Sequence, residues 1–299
     1  VELSWPIKIR IGLAAAVGIG LIGMLAWPLV APAEPFGVVS VVSAMISSRD
    51  VVLLLALAFC VGLIAYFLSW PYGGQIGVLA VPAGLAVWAF RSGTMGSLMQ
   101  LNSSVVSRER LYSTMEWETL LWLGLVVAGY LATHILRHPK PEPDTKLAKR
   151  SIVSCVYPVA AIVASAMLVP VFIGIFATDF TLKDLSAGTV IGQPSNAQIG
   201  FGVFVAFGVM AFLVKKLLGL DYTWPVIASC LVIPLSLSTY GKSDILADFA
   251  SRWPAVFFPG SVLAVLPIQI VAFGSLGSIA GYWLAVRYGH SREQEAESN

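Results

Sequence analysis

Val51–Phe90 reads VVLLLALAFCVGLIAYFLSWPYGGQIGVLAVPAGLAVWAF, forty residues without an Asp, Glu, Lys or Arg. A helix crosses the hydrocarbon core of a bilayer with about 20 apolar residues, so this stretch is twice as long as one span requires. Trp70-Pro71-Tyr72-Gly73-Gly74 stands at its middle. Proline beside paired glycines breaks a helix and turns the chain. The stretch therefore predicts two membrane helices, 51–69 and 74–91, folded as a hairpin, and it sets the fold class: an all-α, polytopic transmembrane helical bundle.

The same pattern continues in both directions. Ile11–Ala33, Thr119–Leu136, Ser151–Thr178, Tyr222–Gly241 and Trp253–Val286 are also free of Asp, Glu, Lys and Arg, as is Leu185–Val214, whose first part is polar. These windows predict spans near 9–30, 119–137, 152–177, 198–217, 223–240 and 260–287, about eight spans with the hairpin. Of the 299 residues 58% are hydrophobic and 11% charged, against about 25% charged in a soluble domain. The net charge of +2, with no basic cluster interleaved with aromatics, excludes a nucleic-acid partner; the partner implied is the lipid bilayer. Cys60, Cys155 and Cys230 each fall inside a span without CxxC spacing and read as small apolar residues rather than disulfide or metal ligands.

With eight spans both termini share a side. Placing them in the cytoplasm puts eleven of the eighteen basic residues inside, five of them at or beside the 139–149 linker (Arg137, Lys140, Lys146, Lys149, Arg150). Positive-inside bias then predicts a multi-pass protein of the cell's inner, cytoplasmic membrane. The first apolar stretch follows Lys8 and Arg10 and ends at Ala31-Pro32-Ala33. It exceeds the roughly 7–15 residues of a signal-peptide core and is expected to be retained.

An internal repeat organises the chain. Ala128-Gly129-Tyr130 recurs as Ala280-Gly281-Tyr282, and at the same offset of 152 Pro82 matches Pro234 and His138 matches His290. Trp70-Pro71 recurs as Trp224-Pro225. The matches predict a tandem duplication of a four-helix unit: 1–138, a basic cytoplasmic linker 139–149, a second unit 150–290, and a disordered polar tail 291–299. Four spans per unit is even, so the repeats should be parallel, related by an axis along the membrane normal, with small residues near Gly129 and Gly281 at the seam.

The polar residues that could carry function are few. Arg91, Arg108, Arg110, Glu116 and Glu118 gather in sequence at the outer mouth of the fourth span, where Glu116 and Glu118 read as solvated acids of a helix N-terminus. Tyr130 and Tyr282 lie within spans. His134 and His138 share a helix face, yet a metal site needs three or four ligands, so an interfacial anchor is the expected role. No cofactor or metal is implied. The nucleophile elbow, HExxH, the Walker loop and Asp-rich prenyl-phosphate patterns are absent. The outer segments Ser92–Glu118 and Ser243–Phe258 are expected on the membrane surface, the second as an amphipathic helix. With no ionised residue inside the spans, an ion-driven pump is disfavoured. Three roles are then open. The first is a permease, or the membrane subunit of a transport or export assembly for a neutral or lipid-like substrate, with other membrane subunits or a cytoplasmic ATPase as partners. The second is a non-catalytic membrane scaffold, and the third an enzyme at the outer interface.

Overall fold

The computed structural model describes residues 4–34, 37–40, 46–102, 104–136, 152–178, 180–184, 188–192, 194–240, 242, 244–247 and 261–298. The chain is a multi-pass α-helical membrane protein. Among the described residues seven helices are long and apolar enough to cross a membrane, and a shorter apolar helix adds to them.

The first half begins with α1 (Trp5–Gly18), which passes into a π-helical segment, Ile19–Leu25, and a 3-10 turn, Trp27–Leu29. Pro28 explains the end: it cannot continue an α-helical hydrogen-bond ladder. Helix α2 (Ser48–Leu68) starts at a capping box, in which Ser47 Oγ accepts from Asp50 N and the Asp50 carboxylate accepts from Ser47 N. The predicted turn at Trp70-Pro71 follows. The next span is composite, with α3 (Gly73–Ile76), a 3-10 turn Gly77–Leu79 and α4 (Ala80–Arg91). After the short α5 (Met95–Leu101) comes α6 (Val105–Ile135).

The fourth span was expected to begin near 119, but α6 starts fourteen residues earlier. Ser104 Oγ accepts from Ser107 N and caps the helix, and Val105–Glu118 contains neither Gly nor Pro to stop it. Its 31 residues extend over ~46 Å, well beyond a ~30 Å hydrocarbon core. Ser92–Glu118 is therefore α5 plus the projecting turns of a membrane helix.

The second half opens with α7 (Ile152–Phe176). An antiparallel hairpin follows, β1 (Phe180–Asp184) paired with β2 (Gly188–Gly192), Phe180 opposite Gly192. It occupies the connection between the predicted spans 152–177 and 198–217 and lies outside the all-α bundle. Helices α8 (Asn196–Leu218), α9 (Thr223–Tyr240) and α10 (Pro267–Ser298) complete the chain. Residues 291–298 continue α10, correcting the expected disordered tail: Arg, Glu, Gln and Ala are good helix formers, and no Gly or Pro follows Gly289. The linker 139–149 and most of Ser243–Phe258 lie outside the described residues; of the latter, 244–247 is helical and Leu246 is buried.

In the first half α1 packs on α2 and α4, α2 on α6, and α4 on α6. In the second half α7 packs on α8 and α9, α8 on α10, and α9 on α10. The halves meet where α4 and α6 contact α10 and where α6 contacts α9. The seam helices are the most enclosed: 78% of the apolar window in Gly73–Arg91 and 72% of that in Pro267–Gly289 is buried, against 22% for Trp5–Leu25.

Glycine fixes the closest crossings, and these lie inside each half rather than at the seam where they were expected. A Cβ at Gly62 of α2 would stand 2.5 Å from the Gly129 carbonyl oxygen of α6. A Cβ at Gly281 of α10 would collide with the Gly208 carbonyl of α8, and one at Gly277 with that of Phe204. Without Cβ atoms, backbones approach closely and dispersion contacts multiply.

Candidate functional site

Two polar assemblies lie at opposite ends of the bundle, and the sequence candidates divide between them. At one end, the loop end, residues 37–40 fold back over the end of α4. Gly93 N donates to Gly37 O at 3.1 Å and Val39 N to Ser92 Oγ at 2.9 Å. This places Ser40 against α6, where its hydroxyl donates to Glu118 Oε2 at 2.8 Å. One helical turn further on, Trp122 Nε1 donates to Glu118 Oε1 at 3.0 Å.

Glu118 is only 2% exposed. The solvated helix-terminal acid expected from sequence is thus a buried carboxylate, because the helix extends past it and residues 37–40 cover it. Burying a carboxylate is costly unless donors replace water, and hydrogen bonds to a charged acceptor are the strong ones. Arg108 is also buried, its Nε donating to Asn102 O at 3.0 Å. Arg108 and Glu118 are therefore ionisable groups packed inside the protein, in the turns of α6 that precede the charge-free stretch Thr119–Leu136.

The other candidates at the loop end do not join Glu118. Arg91 is exposed, its guanidinium 4.0 Å from the Trp27 ring centroid. Arg110 is exposed and Glu116 half-buried. Residues two apart on a helix point in different directions, so Glu116 and Glu118 form no paired-carboxylate centre.

A second chain of hydrogen bonds ties the halves together at this end. Asn196 Nδ2, at the first position of α8, donates to Ser92 O at 2.8 Å. Gln269 Nε2 donates to Asn196 Oδ1 at 3.1 Å, and Leu266 N donates to Gln269 Oε1 at 3.0 Å. Beside it a small cleft between the halves is lined by Tyr112, Met115, Ile233, Ser236 and Leu237, with Val262, Leu263 and Val265. Deeper in, Trp88 stacks edge-on against Trp122 with ring centroids 6.2 Å apart. Trp88 Nε1 and Ser275 Oγ are buried without a hydrogen-bond partner among the described residues.

At the opposite end, the linker end, the structure brings together Tyr130, His134 and Tyr282 through a residue that sequence reading missed. Tyr130 stacks on His134 (5.8 Å, interplanar angle 13°) and meets Tyr222 edge-on at 6.3 Å. Tyr222 in turn meets Tyr282 at 5.4 Å. Tyr130 and Tyr282, one from each half, converge on the ring of Tyr222. His134 is exposed, and among the described residues no three His, Cys, Asp or Glu side chains gather as metal ligands.

Tyr222 stands in the turn before α9, outside any periodic pattern, and Asn196 reads as an ordinary cap-adjacent residue; neither carries a local signal of its cross-seam role. Comparison of the chain with protein-family models, with curated proteins and with solved structures finds no match in any of the three.

Proposed function

We propose that the chain is the membrane-embedded subunit of a transport or export assembly, and that its substrate, neutral or lipid-like, passes along the seam between the two halves. The observation that carries this reading is that, of five buried side-chain atoms without a hydrogen-bond partner among the described residues (on Ser69, Trp88, Ser165, Ser275 and Ser278), three stand on α4 and α10, the helices that meet between the halves. Native interiors satisfy nearly all buried donors, and each exception calls for an explanation. Ser275 shares a helical stripe with Ile279 and Tyr282 of α10; Ile279 meets Val78 and Leu79 of the first half, and Tyr282 meets Tyr222 of its own half, which in turn meets Tyr130 of the first. A transient substrate able to hydrogen-bond would satisfy Ser275 and Trp88. Helix irregularity supports the same reading. Ile19–Leu25 is π-helical and Gly77–Leu79 is 3-10 within apolar spans, and such breaks often mark hinges or binding sites.

The matched packing of α1, α2, α4 and α6 with α7, α8, α9 and α10 supports a tandem, parallel duplication, with 1–138 and 150–290 as its units. The basic 139–149 linker supports an inner-membrane protein with both termini cytoplasmic, where an ATPase or further membrane subunits would couple energy. Glu118, held by Ser40 and Trp122 under residues 37–40, reads as a structural carboxylate rather than the acid or base of the enzyme alternative, and the scaffold alternative leaves the seam groups without a role.

Thiol labelling tests both parts. In a chain with Cys60, Cys155 and Cys230 replaced by alanine, Ser275→Cys is expected to react with a small membrane-impermeant thiol reagent in intact cells or inverted vesicles. Cys60 restored alone, exposed on α2, should stay unreactive in the lipid. Ser186→Cys serves as the outer reference and Thr145→Cys as the inner one. A Ser275→Cys thiol inert from both sides would leave the scaffold reading, and outer labelling of Thr145→Cys would invert the topology.

A further inference from the structure

The last turn of α8 carries adjacent lysines, and neighbouring α10 supplies aromatic rings to both. Lys215 Nζ lies 5.2 Å from the Tyr282 ring centroid, and Lys216 Nζ lies 4.6 Å from that of Tyr288 and 5.8 Å from that of Phe212. Phe212 and Tyr288 touch edge-on at 6.2 Å, which joins α8 to α10 at this level. Arg287 is exposed beside Tyr288. The helix dipole favours cations at the C-terminus of α8, which accounts for basic residues there, but not for seating both ammonium groups on rings of the neighbouring helix.

Lys215 Nζ also donates to Gly219 O at 3.5 Å, and an ammonium has three donors, so each lysine over its ring keeps an N–H for an anion. The surroundings are apolar: Leu217 is 73% exposed, Leu284 61% and Tyr288 45%. Leu284 and Tyr288, four residues apart, share a face of α10. The turn after α8 carries one acid, Asp221, the next charged residue in the chain after the two lysines. A cationic cluster at the end of two membrane helices, bordered by exposed apolar side chains, matches a phosphate with acyl chains attached. Basic sites between helices at a membrane surface recognise such head groups.

We propose that Lys215, Lys216 and Arg287 form a binding site for the head group of an anionic phospholipid, whose acyl chains lie along Leu217, Leu284 and Tyr288. The site is tested separately from the transport reading: Lys216, Leu217, Leu284 and Tyr288 lie on the exposed edge of α8 and α10, and only Lys215, over Tyr282, borders the seam.

Native mass spectrometry of the full chain, released from detergent with dioleoyl-phosphatidylglycerol or dioleoyl-phosphatidylcholine added, tests it. The expected result is roughly tenfold tighter retention of phosphatidylglycerol, falling to under about twofold in the triple variant K215Q/R287Q/K216Q. K215R/K216R should keep the preference, as should Lys242→Gln, which lies at the loop end. A melting curve of each variant establishes that the fold survives. Should the triple variant unfold, K216Q alone, on an exposed residue, is expected to reduce the preference severalfold. An unchanged preference in folded K215Q/R287Q/K216Q, or none in the parent chain, would overturn the proposal. So would displacement of the lipid by millimolar glycerol phosphate, which would mark a phosphate site instead.

Discussion

Gly281→Leu is expected to lose roughly 3 kcal/mol of stability, at the upper end of overpacking costs, measured as the melting temperature of purified protein and as the yield of monodisperse material. The cause is geometric. The new Cβ would collide with the Gly208 carbonyl of α8. Side-chain rotation cannot relieve this, because the obstructing atoms are backbone. Separating α8 from α10 would instead forfeit the contacts along the most extensive helix pair in the fold. Gly20→Leu makes the control: nothing lies within 4 Å of its Cβ position, so its melting temperature should hold. Gly62→Leu should reproduce the defect, because Gly62 meets Gly129 in the first half as Gly208 meets Gly281 in the second.

The second large effect is expected at Glu118. Glu118→Ala removes the charged acceptor that the buried Ser40 hydroxyl and Trp122 indole N–H share, and losing a hydrogen bond to a buried charged group costs about 1–3 kcal/mol. A total loss of about 3 kcal/mol is expected in equilibrium unfolding. Glu118→Gln keeps the shape and one acceptor oxygen, so it should recover more than half of that loss. Pairing Glu118→Ala with Trp122→Phe gives a direct check. Trp122→Phe removes the indole donor, so the double variant should be less destabilised than the sum of the two singles. Strict additivity would mean that the Trp122–Glu118 hydrogen bond contributes nothing.

The two positions also show what a linear reading reaches. The spans were legible because an apolar run of about 20 residues has one physical use in a chain this poor in charge. Trp70-Pro71 and the glycines after it marked the hairpin for the same local reason, and the small residues near Gly129 and Gly281 were recognised as points of close approach. Which helix each glycine meets was not legible, because partner choice depends on the packing of the whole bundle. Glu118 was misread for a related reason: a charge-based window ends at a charge, whereas a helix ends at a cap. The capping serine, Ser104, stands fourteen residues upstream of Glu118, and the cover over Glu118 comes from Ser40, 78 residues away. Tyr222 and Asn196 acquire their roles only when the halves are brought together. The α10 extension over 291–298 was hidden by polarity, which helix propensity outweighed.

The seam itself is the most direct object of test. In a chain lacking native cysteines, with a protease site inserted in the 139–149 linker, Phe90→Cys/Phe273→Cys joins α4 to α10 and Tyr130→Cys/Tyr222→Cys joins α6 to the turn that opens α9; the native rings lie 5.0 Å and 6.3 Å apart. Treated in membranes with a short bismaleimide and then with protease, both pairs should keep the two halves together on a denaturing gel, while the pair Leu13→Cys/Val163→Cys, on the lipid-exposed faces of α1 and α7, should release them. Release of the halves by both seam pairs, with protein that is otherwise folded, would contradict an arrangement in which α4 and α6 meet α9 and α10.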